Sequence, residues 1–173
     1  MIPIFKLPTR ETGYDERKKA ANEILSGILR YLDSKYDIKT LYYPGSGWHK
    51  TPKETLGEDR TIHLSLEENR EYIAGGYFKK LGRGIKVRGD YRQSPFRNNK
   101  FDVTLIWGIP TETAREAIND FRRVTKKDGL FVVGNQNLCS MLGFNVIYKS
   151  LDKQLERIPT PFEYLGIRVY QNK

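Results

Sequence analysis

The segment Phe101–Trp107 constrains the fold more than any other part of this sequence. It reads Phe-Asp-Val-Thr-Leu-Ile-Trp and is apolar nearly throughout. A strand with one face in water alternates apolar and polar residues, whereas a strand covered on both faces is apolar along its length. The segment therefore predicts a buried strand in a parallel sheet that carries helices on both faces.

Helical and strand-like patterns alternate along the rest of the chain. Apolar residues at helical spacing predict three helices, at Tyr14–Asp33, Glu67–Lys80 and Glu112–Thr125. Shorter apolar runs predict further strands, at Lys39–Tyr43, Thr61–Leu64, Gly84–Arg88, Leu130–Val133, Phe144–Tyr148 and Tyr164–Tyr170. The last two alternate and are predicted as an antiparallel pair. We expect an α/β three-layer sandwich: a Rossmann-like, mainly parallel seven-stranded sheet with a reversed terminal strand pair.

Length and residue types limit the classes of protein to consider. The 173 residues fit one domain of about 100–200 residues, so we expect a single domain over 1–173, with 1–13 as an arm or a disordered segment. Cys139 is the only cysteine, which excludes an intrachain disulfide and a cysteine-based zinc site, and His49 and His63 are too few for a metal site. Neither a membrane span nor a signal peptide is visible, and we expect a cytoplasmic protein.

The positive charge is concentrated in one stretch. The formal net charge is +9, and between Lys79 and Lys100 eight Lys and Arg side chains accompany one acid, Asp90. Such a stretch favours a nucleic acid, RNA above all, or another phosphate-bearing partner. A basic face that only keeps the protein soluble is the alternative.

The turn after the first predicted strand is a candidate binding loop. Ligands of open parallel sheets lie at the carboxyl ends of the strands, and here Tyr43–Thr51 reads Tyr-Pro-Gly-Ser-Gly-Trp-His-Lys-Thr. A dinucleotide fingerprint requires a third glycine where Lys50 stands. A phosphate-binding P-loop would end in Lys50 and Thr51, but Pro44 and His49 occupy both of its glycine positions.

Five segments, in order, resemble the motifs of the class I S-adenosylmethionine-dependent methyltransferase family. They are similar to its first motif, second strand, third motif, fourth strand and the turn into its fifth strand, at Leu41–Gly47, Ile62–Glu68, Gly89–Phe96, Phe101–Trp107 and Val124–Leu130. The resemblance runs from about residue 20 to the end of the sequence. The chain looks like a divergent member, because Tyr43 and His63 stand where the family usually carries acids.

The resemblance implies S-adenosylmethionine as cofactor and a set of site residues. The implied cofactor-binding residues are Tyr43, Pro44, Gly45, Ser46, Gly47, His63, Leu64, Ser65, Asp90, Tyr91 and Trp107. The implied substrate-binding residues are Trp48, Arg92, Arg97, Gly108, Ile109 and Pro110. Asp90 would lie near the adenine. No catalytic residue is assigned, because alignment of the two reactants can supply most of the acceleration.

Three functions are compatible with this sequence. The first is S-adenosylmethionine-dependent methyl transfer, with RNA or a phosphate-bearing molecule as the preferred substrate. The second is a non-catalytic, methyltransferase-like binding protein that holds a nucleic acid or a partner on its basic face. A nucleotide-phosphate binder that uses Lys50 and Thr51 is a third. The Asn-Pro-Pro-Tyr motif of amine-methylating members is absent, so the methyl acceptor stays open, as does the oligomeric state.

Overall fold

The computed structural model describes residues 12–46, 49–65, 85–134 and 144–173 of the chain. Several of the sequence-based expectations lie outside these residues. They are the helix at Glu67–Lys80, nearly all of the arm at 1–13, and residues Gly47, Trp48, Lys79, Lys80, Arg83 and Cys139.

The described elements alternate between helix and strand along most of the chain. The helices are α1 (Tyr14–Tyr36), α2 (Thr51–Leu56), α3 (Thr111–Val124) and α4 (Phe144–Asp152). The strands are β1 (Leu41–Pro44), β2 (Thr61–Ser65), β3 (Ile85–Arg88), β4 (Phe101–Trp107), β5 (Thr125–Gly134), β6 (Glu156–Ile158) and β7 (Arg168–Gln171). Short 3₁₀ turns occupy Tyr91–Gln93 and Glu163–Leu165.

All seven strands form one sheet in the order β3-β2-β1-β4-β5-β7-β6. Strand β1 pairs in parallel with β2 and with β4, and the pairs β2 with β3 and β4 with β5 are also parallel. Strand β7 runs antiparallel to both of its neighbours, β5 and β6. The predicted fold class is therefore confirmed, including the reversed terminal strand pair, in which β6 and β7 are antiparallel. The strand order changes direction between β1 and β4, and this switch point is where an open parallel sheet binds its ligands.

The sheet has a buried core on each face. Leu25 and Leu29 of α1 pack with Leu105 of β4 on one face, and Phe121 of α3 packs with Ile106 of β4 on the other. Consecutive side chains of a strand point to opposite faces, so β4 contributes to both cores. This explains why its sequence is apolar nearly throughout.

The prediction of a strand at Phe144–Tyr148 is wrong, because this segment begins α4. Ile147 and Leu151, four residues apart, are both buried against the sheet, which is the spacing of one helix face. The antiparallel pair is formed instead by β6 and β7. The strand predicted at Tyr164–Tyr170 begins only at Arg168, since Gly166 adopts the left-handed conformation at φ 71° and ends the preceding 3₁₀ turn.

Two absences concern the described residues only. Within residues 12–46, 49–65, 85–134 and 144–173, no helix is long and apolar enough to cross a membrane. Over the same part of the chain, no three His, Cys, Asp or Glu side chains lie close enough together to hold a metal ion.

Candidate functional site

The candidate site is built on the turn that leaves β1 at the switch point. Gly45 adopts φ +61°, a left-handed conformation that costs other residues about 1–2 kcal/mol. Its N–H donates to the carbonyl oxygen of Leu64 at 2.8 Å, which ties the turn to β2. A glycine is therefore required here by the backbone, and the turn has a fixed position relative to two strands.

Side chains from two other strand ends lie over this glycine. A Cβ atom at Gly45 would be 3.3 Å from Cγ1 of Ile109 and 3.5 Å from Cε1 of Tyr91. Ile109 follows β4 through Gly108, which adopts φ 72°, and Tyr91 follows β3. The structure thus brings together three residues that the sequence assigned to this site, from three separate segments.

Tyr43 begins a partly buried chain of hydrogen bonds. The Tyr43 hydroxyl lies 2.8 Å from Nδ1 of His49, and Nε2 of His49 lies 2.7 Å from Oδ1 of Asn22 in α1. An amide oxygen only accepts, so Nε2 carries the proton and Nδ1 accepts from Tyr43. His49 is neutral in this arrangement, and burial, with a further contribution from the charge of Lys18, lowers its pKa to about 4.

This chain of hydrogen bonds connects elements of the fold to one another and does not present groups to a ligand. Tyr43 is 2% exposed, burial raises its pKa, and its hydroxyl also lies 3.4 Å from the carbonyl oxygen of Trp107. The four residues connect α1, the loop after β1, β1 itself and the end of β4. At the position where the class I methyltransferase family usually has an acid, this protein has Tyr43, which connects the turn to α1 through His49.

Two polar side chains beside the turn are buried without partners. Oγ of Ser46 and both ring nitrogens of His63 make no hydrogen bond within the described part of the chain. Ser46 is 4% exposed and His63 is 1% exposed. A buried polar atom without a partner costs about 1–3 kcal/mol, so these atoms have the capacity to bond to a polar ligand.

His63 is neutral at physiological pH. Burial first, and then the charges of Lys53, His49 and Lys86, lower its pKa to about 4. The register pairs it with Tyr43, and the two rings are 5.7 Å apart. The second strand was predicted to end at Leu64 and ends at Ser65, so His63 lies two residues before its end. Leu64 and Ser65 are both buried.

Asp90 and Arg92 neutralise each other after β3. The Asp90 carboxylate accepts from Nε of Arg92 at 3.0 Å, from Nη2 at 2.6 Å and from the Arg92 backbone N–H at 2.8 Å. These bonds hold the pKa of Asp90 below its usual range. The sequence assigned Asp90 to the cofactor and Arg92 to the substrate, and the structure pairs them with each other.

Three other assigned residues lie away from the glycine turn. Trp107 is 1% exposed in the core under α1, where a Cβ atom on Gly134 would lie 2.4 Å from its ring. Pro110 is exposed at the start of α3. Arg97 is exposed in the loop that leads into β4, at the opposite edge of the sheet. Pro44, in contrast, directly precedes the glycine turn and is buried as the last residue of β1.

Asn22 and Ile109 add to this site in ways that sequence reasoning missed. Ile109 was assigned to the substrate but covers the glycine turn, and Asn22 was not considered. A local signal for Asn22 exists, because Asn22 and Ser26 lie four residues apart beside the buried face of α1. Ser26 Oγ likewise accepts from Thr55 of α2 at 3.0 Å. A polar stripe along a buried helix face indicates a polar neighbour.

Comparison with known proteins identifies the fold. No family model matches the sequence, and no curated protein matches it. Among solved structures, one similar chain is the N-methyltransferase NodS of Bradyrhizobium japonicum WM9, in complex with S-adenosyl-L-homocysteine. It has a TM-score of 0.63 at 11% identity, over 94% of this chain and 89% of its own. The PH0226 protein of Pyrococcus horikoshii OT3 has a TM-score of 0.54 at 15% identity over 95% of each chain.

A third similar structure shows that this fold serves more than one reaction. The [4+2]-cyclase SpnF has a TM-score of 0.51 at 16% identity, over 75% of this chain and 48% of its own. At such identities the likeness establishes the fold alone. The fold alone does not determine what the site does.

Proposed function

We propose that this chain, which has the fold of the class I methyltransferases, binds S-adenosylmethionine at the carboxyl edge of its sheet and transfers the methyl group to an acceptor. The observation that carries the proposal is the turn at Gly45. It is left-handed, lies at the switch point, and is followed by a buried Ser46 hydroxyl without a partner in the described residues. An unsatisfied hydroxyl at that place fits a polar ligand.

The surroundings of the turn fit this cofactor. Ile109 and Tyr91 lie where a Cβ at Gly45 would point and provide apolar and aromatic surface beside the turn. His63 offers one ring N–H and one acceptor nitrogen, which suit a hydroxyl group of a ribose. Because its pKa is about 4, His63 is uncharged and does not repel a cationic ligand.

The chain's own contribution to catalysis is alignment. S-adenosylmethionine supplies an electrophilic methyl group when it is bound. The residues at this edge hold the two reacting groups in line, which can contribute about 7–11 kcal/mol without a protein nucleophile. The hydrogen-bonded chain from Tyr43 to Asn22 keeps the turn fixed while this happens.

An RNA or another phosphate-bearing acceptor is supported by the charge at this edge. Arg88 is exposed as the last residue of β3, next to the edge where the cofactor is proposed. Arg92 follows it, although Asp90 and, at 3.6 Å, Glu116 offset its charge. Cations beside the site would hold the acceptor's phosphates.

The second candidate function is a non-catalytic binding protein with the same fold. The favouring observation is that Ile109 and Tyr91 lie 3.3 and 3.5 Å from the position that a Cβ of Gly45 would take, so this side of the turn leaves little room for a cofactor. The replacement of the family's first-motif acid by Tyr43 points the same way.

Thermal unfolding with added ligands separates the two functions. A ligand at about 100 times its Kd stabilises the folded state by about 2.7 kcal/mol, which raises Tm by about 5–10 °C for a domain of this size. We expect this rise with S-adenosylmethionine and S-adenosylhomocysteine but not with ATP or NAD. No rise with either sulfur compound at millimolar concentration would favour the non-catalytic function.

Ser46→Ala localises the effect. The substitution removes a buried hydroxyl that has no partner in the described residues, so we expect the free protein to gain up to about 1 kcal/mol while the ligand-induced rise in Tm shrinks. Ser34→Ala is the matched control, because Ser34 is an exposed serine of α1 whose Oγ donates to the Tyr31 carbonyl. An equal ligand-induced rise in all three proteins would place the ligand elsewhere.

A further inference from the structure

A groove of about 380 Å³ lies at the other edge of the sheet, where β4 and β5 begin. Four of its lining residues are the cations Arg122, Arg123, Lys127 and Lys173, and the other four are asparagines. All eight side chains therefore carry N–H donors. The proposed cofactor site lies at the opposite ends of the same strands.

The acceptor groups near this groove are satisfied within the protein. The carbonyl oxygen of Arg123, at the end of α3, accepts from the N–H of Asn99 at 2.9 Å. Nδ2 of Asn172 donates to the carbonyl oxygens of Thr125 at 3.0 Å and Lys126 at 3.2 Å. Because the carbonyl groups at the helix end already have donors, the cations of the groove are not needed as helix caps.

Two cations of the groove, Arg122 and Arg123, are bonded to other side chains of the protein, whereas Lys127 and Lys173 face solvent. Arg123 is bound to the buried Asp120 at 2.6 Å, and Arg122 donates to Gln154 at 3.1 Å. Lys127 is exposed. Lys173 pairs with Glu156 at 3.0 Å, but both side chains are more than half exposed, and such a pair contributes about 0–1 kcal/mol. Lys127 and Lys173 are therefore available to an anion.

The first part of β5, which carries Lys127, is hydrogen-bonded to the end of the chain and closely packed. Asp128 N–H donates to the Asn172 carbonyl at 2.7 Å, and Asn172 N–H donates back to the Gly129 carbonyl at 2.8 Å. A Cβ atom at Gly129 would lie 2.9 Å from the Lys126 carbonyl oxygen and 3.0 Å from that of Asp102, so the backbone is closely packed. A pre-organised donor set loses little entropy when it binds a ligand.

We propose that this groove binds the sugar-phosphate backbone of single-stranded RNA. Cations hold phosphates, and asparagine amides beside them can bond to base edges and sugar hydroxyls. The volume suits a nucleotide or two of a single strand. Arg97 and Lys100, from the basic stretch of the sequence, lead into β4 at the same edge, and the net charge of +9 attracts a polyanion from a distance.

The test is the salt dependence of RNA affinity. A short single-stranded RNA is titrated with the full chain by fluorescence anisotropy between roughly 50 and 200 mM salt, where each phosphate contact contributes about 0.7 to the slope of log K against log salt. The double variant Lys127→Gln/Lys173→Gln removes two exposed cations of the groove. We expect its slope to fall by about 1.4 and its affinity to fall with it.

The matched control is Lys19→Gln/Arg30→Gln, which removes two exposed cations of α1 and changes the net charge equally. We expect this control to retain the wild-type slope. Equal losses in both double variants, or no RNA binding by the wild type at low salt, would overturn the proposal. Complete competition by millimolar inorganic phosphate, or binding to anionic vesicles but not to RNA, would overturn it as well.

This proposal stands apart from the proposed methyl transfer. The RNA titration contains no cofactor, and the two lysines lie at the edge away from Gly45. A protein that binds RNA but shows no rise in Tm with S-adenosylhomocysteine would support the groove and contradict the methyl transfer. A protein that shows the rise in Tm with S-adenosylhomocysteine but does not bind RNA would support the methyl transfer and contradict the groove.

Discussion

Tyr43 and Ser46 lie three residues apart and have opposite roles. The Tyr43 hydroxyl is bonded to His49, so it stabilises the turn and has no capacity for a further donor bond. The Ser46 hydroxyl is buried without a partner in the described residues, so it is suited to a ligand. The difference is not visible in the sequence, where both residues belong to one motif. It arises because His49 folds back onto β1 and Asn22.

Two histidines with lowered pKa values make the stability depend on pH. Burial lowers the pKa of His49 and of His63 from 6.5 to about 4. The unfolded chain therefore binds more protons than the folded chain between about pH 6.5 and pH 4, and the free energy of unfolding falls as the pH falls through this window. From about pH 7.5 to about pH 5.5 we expect a loss of roughly 1 kcal/mol for each histidine.

Urea unfolding at the two pH values measures this effect. His49→Gln and His63→Gln should each remove about half of the pH-dependent loss, and the double variant should remove most of it. An unfolding free energy that is the same at both pH values in the wild type would show that the two rings are not buried as neutral groups.

At the scale of the elements, sequence patterns predicted the strands that are buried on both faces. Phe101–Trp107 has the predicted bounds, because its apolar residues enter two cores. Phe144–Tyr148 was mistaken for a strand because a five-residue window of apolar and polar residues does not separate periods of 2 and 3.6. The three-residue spacing from Tyr148 to Leu151 does separate them, because both residues are buried on one face and residues three apart in a strand point to opposite faces.

One ionic cluster joins α3 to the loop that precedes β4. Asp120 is 9% exposed and accepts from the N–H of Ser94 at 3.1 Å and from Arg123 at 2.6 Å. Arg123 in turn donates to the carbonyl oxygen of Phe96 at 2.6 Å. Asp120→Ala leaves a cation and an N–H group without their acceptor, and we expect a loss of about 2–4 kcal/mol in the free energy of unfolding.

Asp37→Asn is the control for this prediction. Asp37 forms an exposed pair with Lys39, with side chains 79% and 69% exposed, and asparagine tolerates its left-handed φ of 49°. We expect a change below about 0.5 kcal/mol by chemical denaturation. A similar small change for Asp120→Ala would mean that the cluster does not join the two elements.

For the whole molecule, alternation of strands and helices was enough to predict the fold class and to place the glycine turn at the carboxyl edge of the sheet. It was not enough to predict the details of that edge. The contacts of Gly45 with Tyr91 and Ile109 span 46 and 64 residues of sequence, and no local pattern encodes them. The pairing of Asp90 with Arg92 was within reach of the sequence, since the residues are two apart.

The two edges of the sheet have different chemistry. The carboxyl edge holds a left-handed glycine, an unsatisfied serine and a neutral histidine, which suit a small ligand with polar groups. The amino edge holds a groove lined by cations and amides, which suits a polyanion. An enzyme that methylates RNA would use both, with the strand held away from the cofactor and its reactive nucleotide brought to Gly45.

The most direct measurement is amide hydrogen exchange of the full chain with and without S-adenosylhomocysteine. Exchange slows where a ligand suppresses local opening. We predict slower exchange at residues 43–46, 63–65, 89–91 and 107–109, which carry the turn and its neighbours, and no change around Lys127. Slower exchange confined to the amino edge, or no change anywhere at saturating ligand, would contradict a cofactor site at the carboxyl edge of this sheet.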